Sequence, residues 1–150
     1  MSDILNIREA QKSDALGLLV LMDQWGYPQT SESMKKLLDA YASGDKHVFV
    51  AEKDGHMVGL IAIVMYDMFF RVGAKRCRIE GLVTHTEFRR QGIGKALIQK
   101  AESVAKKHGC SVIDLTSGAR RSQEGTHVFY RALGYANDGD RAKVYVHKYL

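Results

Sequence analysis

Proline occurs once in this chain, at Pro28, and cysteine only twice, at Cys77 and Cys110. With a single proline, no low-complexity stretch and no internal repeat, there is no candidate linker. The 150 residues therefore read as one continuous domain, 1–150, long enough to bury a core of its own. Two cysteines at no metal-like spacing provide neither a disulfide framework nor a thiolate cage; they are expected to be free core thiols in a reducing compartment. The histidines (His47, His56, His85, His108, His127, His147) are scattered without ligand spacing, so no metal is expected. Long apolar runs are absent too. The longest, from Met57 to Phe70, is interrupted by Gly59 and Asp67 and is too short to span a bilayer. The first residues lack the basic-then-apolar layout of a secretory signal, and cytoplasm is the expected location.

Positive charge is in excess, 22 Lys+Arg against 17 Asp+Glu for a formal net charge of +5. There is no long basic arm and no aromatic-rich basic stripe, so a nucleic-acid partner is not expected. The basic residues gather at Arg89, Arg90 and Lys95, at Lys100, Lys106 and Lys107, and at Arg120 and Arg121. The first group adjoins a glycine-containing turn, which suits a compact polyanion. Lys100, Lys106 and Lys107 read as a solvated helix face.

Periodicity places the elements. Leu5 to Glu9 reads as a strand, followed by a helix capped by Ser13 or Asp14 and ending near Gly26, then a helix from Ser31 to Gly44. His47 to Glu52 and Met57 to Tyr66 form a hairpin across Asp54-Gly55. Arg76 to Thr84 is a strand, Ile93 to His108 a helix stopped by Gly109, and Val112 to Thr116 a buried strand. A short helix from Glu124 to Leu133 and a strand from Lys143 to Leu150 complete an α/β (α+β) chain. The unit from Arg76 to Thr116 should be a right-handed parallel crossover.

The informative segment is Leu82-Val83-Thr84 running into Arg89-Arg90-Gln91-Gly92-Ile93-Gly94-Lys95. A strand enters a turn, and the turn opens a helix whose first amides lack intrahelical partners and carry the positive end of the dipole. Glycines at 92 and 94 allow close backbone approach, and the expected guest is a diphosphate. A Walker A loop would need glycine at Arg89 and Ser or Thr at Ala96; the dinucleotide fingerprint would need glycine at Leu97. Both fail.

The remaining pattern, Arg89-x-x-Gly92-x-Gly94, resembles the coenzyme A signature of the GNAT superfamily of N-acyltransferases. Phe129-Tyr130-Arg131-Ala132-Leu133-Gly134-Tyr135 is similar to the family's Phe-Tyr helix, and the order of elements fits over nearly the whole chain. The resemblance implies a mixed, mostly antiparallel sheet of six to seven strands with about four helices, whose two parallel central strands splay to admit acetyl-CoA. It implies backbone pairing of Leu82, Val83 and Thr84 with the pantetheine arm, and a diphosphate held by the amides from Arg90 to Lys95. Transfer of the acetyl group to a primary amine of a small molecule or peptide would follow by direct attack in a ternary complex. Tyr130 matches the proton donor to the departing thiolate; the alternative is a core tyrosine at a helix end. Glu80 is the candidate base, sharing a face with Arg78, Leu82 and Thr84 by alternation; the alternative is an ion pair with Arg78, Arg71 or another basic neighbour. Many relatives carry asparagine where Ser117 stands, and Ser117 would take that place with a shorter reach. Arg120 and Arg121 meet cofactor phosphates or face water. Asp23, Trp25, Tyr27, Tyr66, Asp67 and Phe69 are candidates to line the acceptor pocket. A homodimer through the last strand, and a non-catalytic acyl-CoA-binding regulatory module, remain open.

Overall fold

The computed structural model describes residues 4–117 and 125–150, less the side chain of Thr126. The chain divides into two compact units, Met1–Ile113 and Asp114–Leu150. Strands β1 (Asn6–Glu9), β2 (Lys46–Lys53), β3 (His56–Asp67), β4 (Lys75–Thr84) and β5 (Cys110–Leu115) form one sheet in the order β1-β2-β3-β4-β5. The first three pairings are antiparallel. The crossover from β4 to its neighbour β5 runs through a helix, as the sequence pattern required. Helices α1 (Ala15–Trp25), α2 (Ser31–Ala40) and α3 (Ile93–Lys107) belong to the first unit and α4 (Thr126–Ala132) to the second.

The fold class is the expected one, with a smaller strand count: five among the described residues rather than six or seven. Residues 143–150 alternate like a strand, but they have no ladder partner among the described residues, and an unpaired segment is not a strand. Asp14 stands at the N-cap position of α1, as expected, but its side chain makes no capping hydrogen bond to that helix. The second helix begins at Ser31, as expected, and its cap is Thr30, whose hydroxyl accepts from the Ser33 amide at 3.0 Å.

Two apolar layers sandwich the central strands. On one face Leu18, Leu21 and Met22 of α1 and Met34 and Leu38 of α2 pack on Val50, Leu60 and Val83. On the other, Ile93 and Leu97 of α3 close over Gly59. A methyl group at Gly59 would stand 2.9 Å from Leu97 Cδ1, 3.0 Å from Ile93 Cγ2 and 3.2 Å from the Val83 carbonyl oxygen. Glycine is required there for space, and it lets the first turn of α3 lie directly on β3.

The Asp14 carboxylate is used ahead of α1, by β1 and by the short 3-10 turn at Lys12–Asp14. Arg8 on β1 grips its carboxylate in a fork, Nη1 at 2.8 Å and Nη2 at 2.9 Å, and the Gln11 amide donates to it at 2.7 Å. Arg8 Nε also reaches Glu52 on β2 at 2.5 Å. The hydrogen bond from Arg8 lowers the Asp14 pKa below the ordinary carboxylate value, although burial opposes it. A depressed native pKa means that the pair stabilises the fold fully above the unfolded pKa of about 3.9 and loses that contribution as pH falls through the lower native value. Acid titration followed by circular dichroism should show Asp14→Asn already weakened at pH 7 and less sensitive to pH below about 4 than the parent.

Candidate functional site: the turn between β4 and α3

The end of β4, the turn and the head of α3 form a continuous path in the first unit. His85 fixes its entrance. Its amide donates to the Val58 carbonyl at 2.8 Å, and its ring Nδ1 accepts from the Glu87 amide at 3.1 Å, closing a short 3-10 turn at Thr86–Phe88. The Thr86 amide donates to Gln24 Oε1 of α1 at 3.0 Å, which ties the same loop to the first helix.

Beyond it the backbone takes two left-handed steps, Arg90 at φ 63° and Gly92 at φ 79°. A left-handed conformation is ordinary for glycine and uncommon for arginine, so Arg90 sits where the fold, not its own preference, decides. Alternation of this kind turns successive amides toward one concavity, an arrangement that favours anions. Gly92 is the N-cap of α3 and supplies no side-chain acceptor, so the helix's leading amides have no capping side chain. Ile93, fully inside, anchors the first turn, while Arg89, Arg90, Gln91, Gly92 and Lys95 are exposed. Lys53 Nζ donates to Gln91 Oε1 at 2.9 Å and holds the turn against the β2–β3 hairpin. An uncapped, positively flanked helix head of 15 residues fits a phosphate-bearing ligand.

Glu80 lies farther back on β4, at a break in register. Ala62 faces Gly81 and Ile63 faces Ile79, so Glu80 is the extra residue of a β-bulge. This corrects the expected alternation. Ile79 pairs with Ile63 on the α3 face, whereas Val83 pairs with Leu60 in the α1–α2 core. Glu80 therefore keeps the face of Arg78 but shares it with Gly81 and Val83; Leu82 and Thr84 turn to the opposite side. Its carboxylate makes no ion pair or hydrogen bond among the described residues, so pairing with Arg78 or Arg71 does not occur there.

Of the acceptor-side candidates, Trp25 lies against Gly81 at the bulge, and Tyr27 meets the Trp25 ring edge-on with centroids 4.9 Å apart. Asp23 is exposed on α1. Tyr66 and Asp67 pair with Arg76 and Lys75 at the end of the β3–β4 hairpin away from the turn, and Phe69 there is 98% exposed. Sequence reading missed Lys53, Gly59 and Gly81. Each acquires its place from strand register or packing rather than from a motif.

Tyr130 belongs to α4 in the second unit, half-buried, its ring 5.2 Å from Phe129 and 6.0 Å from Tyr135. Ser117 follows β5 in that unit, also half-buried; Arg120 and Arg121 lie outside the described residues. Both cysteines are free thiols, Cys77 fully buried and Cys110 with its pKa raised by burial. Among the described residues no cluster of metal-ligating side chains occurs, and no helix is long and apolar enough to cross a membrane.

The chain is 28% identical over 132 residues to an uncharacterized N-acetyltransferase of Chlorobaculum tepidum, covering 86% of this chain and 74% of that one. A GNAT family acetyltransferase of Staphylococcus aureus superposes with a TM-score of 0.80 at 26% identity, covering 97% of this chain and 98% of that one. An aminoglycoside N-acetyltransferase solved with CoA has the same fold, with a TM-score of 0.79 at 17% identity, covering 99% of this chain and 97% of that one. The profile of the Acetyltransferase (GNAT) family matches residues 18–135, across both units, and the chain belongs to that family.

Proposed function

We propose that the protein is an acetyl-CoA-dependent N-acetyltransferase, working as one domain over residues 1–150 in the cytoplasm, with a primary amine of a small molecule or peptide as acceptor. The observation that carries the reading is the turn at Arg90 and Gly92 with the uncapped head of α3 behind it. The amides from Arg90 to Lys95 hold the cofactor's diphosphate, assisted by the charges of Arg89, Arg90 and Lys95. Backbone groups of Leu82, Val83 and Thr84 pair with the pantetheine arm as an added strand would. Ser117 helps to position the cofactor.

Acetyl-CoA supplies an activated acyl carbon. The acceptor arrives largely as an ammonium, with a pKa of about 10, and must lose a proton before it can attack. Glu80, solvent-accessible and without an ionic partner among the described residues, takes that proton directly or through water. The amine nitrogen bonds to the acyl carbon as the carbon–sulfur bond breaks, the Tyr130 hydroxyl protonates the departing thiolate, and the surplus proton left on the nitrogen passes through water to restore the Tyr130 hydroxyl. No nucleophilic cysteine is needed, in keeping with a buried Cys77 and a Cys110 whose thiol is held protonated.

Calorimetric titration with acetyl-CoA, followed by a free-thiol assay over a panel of amines, tests the reading. Micromolar binding and thiol release with an amine is the expected result. Failure to bind acetyl-CoA overturns the assignment, and binding without thiol release from any amine replaces the enzyme with a non-catalytic acyl-CoA-binding module.

A further inference from the structure

Two histidines at the end of α3 away from the turn each keep a ring nitrogen that the scheme above does not use. His47 stands on β2, and its Nδ1 lies 2.6 Å from Glu9 Oε1 on the neighbouring strand. Its Nε2 is fully buried and meets no hydrogen-bond partner. A buried polar atom without a partner calls for an explanation, and a bound ion is one of the few available. His108 closes α3 at its C-terminal end, exposed, with Nδ1 2.9 Å from the Val104 carbonyl oxygen. A carboxylate and a carbonyl oxygen only accept, so each Nδ1 carries the ring proton. Both neutral rings therefore keep a bare lone pair at Nε2. The rings meet edge to face, centroids 5.8 Å apart at 62°. Phe49 lies nearly parallel to His47 and holds that ring in place.

We infer that His47 and His108 form a two-histidine site for a divalent transition-metal ion of the zinc class, bound through the two Nε2 atoms. Imidazole nitrogen suits zinc, nickel and copper. A ligating histidine characteristically donates its other N–H to a carboxylate or a backbone carbonyl, and Glu9 and Val104 accept in that way here. Spacing agrees as well. A metal–nitrogen bond of about 2.0–2.1 Å places each ring centre about 3.2 Å from the ion, so two rings at a tetrahedral angle stand about 5.2 Å apart. A small turn of the exposed His108 side chain closes the observed 5.8 Å to that value. No third ligating side chain joins the pair among the described residues, and water fills the remaining positions. The scattered histidines raised no expectation of a metal; this pair exists only because β2 and the end of α3 are packed together. The ion ties β2, and β1 through Glu9, to the helix whose head forms the cofactor turn. None of this rests on acetyl transfer.

Zinc chloride titrated calorimetrically into the untagged full chain should bind saturably at one ion per chain, and magnesium chloride, whose ion prefers oxygen ligands, should not. His108→Ala and His47→Gln should each weaken zinc binding by at least about tenfold, and Glu9→Gln, which leaves both ligands in place, by about tenfold. Zinc should raise the melting temperature of the parent and not that of His108→Ala. Cys110→Ser should bind zinc as the parent does, which separates the imidazoles from the thiol two residues beyond His108. No heat with zinc, equal heat with magnesium, undiminished affinity in His108→Ala, or loss of binding in Cys110→Ser overturns the inference. Where His47→Gln fails to fold, the exposed His108 decides.

Discussion

Gly92→Val should lower acetyl-CoA affinity by at least about a hundredfold while leaving the protein folded. Two effects act together. At φ 79° a residue with a Cβ is strained by about 1–2 kcal/mol, and a β-branched one is worse. The chain relieves the strain by rotating the turn, which moves the amides that lead into α3. Each charge-assisted hydrogen bond to a phosphate contributes about 1.5–3 kcal/mol, so misaligning two of them removes about 3–6 kcal/mol, or roughly two to four powers of ten in Kd. The space around Gly92 is open to a side chain, since a methyl group placed there would meet no protein atom within 4 Å. Steric collapse of the core is therefore not an alternative explanation for lost binding. Calorimetry of the variant beside a thermal melt checks this, and an unaltered Kd would remove the turn from the cofactor site.

Tyr130→Phe should leave acetyl-CoA affinity unchanged and cut kcat by about a hundredfold or more, the contribution typical of a positioned general acid. Phenylalanine keeps the ring that packs between Phe129 and Tyr135, so α4 has no packing reason to rearrange. What disappears is the hydroxyl proton destined for the thiolate. Because the leaving group then departs without a proton donor, the loss should shrink for acyl thioesters whose thiols are more acidic. A turnover number equal to the parent's would return Tyr130 to the status of a packing residue.

The elements with strong periodicity, such as α3 with Ile93, Leu97 and Ala101 on its inner face, could be read from the sequence because one buried stripe determines them. The turn was readable for another reason: two glycines and three basic residues at a helix head have few other physical uses. The bulge was not. Alternation gave Glu80 the same side as Leu82 and Thr84, and nothing local in Arg-Ile-Glu-Gly-Leu announces an inserted residue; only pairing with Ala62 and Ile63 reveals it. Lys53 and Gly59 were hidden in the same way. Their partners Gln91, Leu97 and Val83 lie far along the chain, and contacts of that range are set by register and packing. The last expected strand erred in the opposite direction, since Val144, Tyr145 and Val146 carry the right propensity without a described partner to pair with.

The short first strand has a bearing on how the protein fails. β1 contributes only four residues, yet it covers the stretch of β2 that runs through Phe49, Val50 and Ala51, all buried. Arg8 fastens it at both ends of one side chain, to Asp14 and to Glu52. Acid strong enough to release this fastening uncovers a row of unpaired backbone groups flanked by apolar side chains, a template on which another molecule can add. Loss of structure on acidification should accordingly depend on protein concentration and be slow to reverse, with scattered light rising before the helices of the first unit melt.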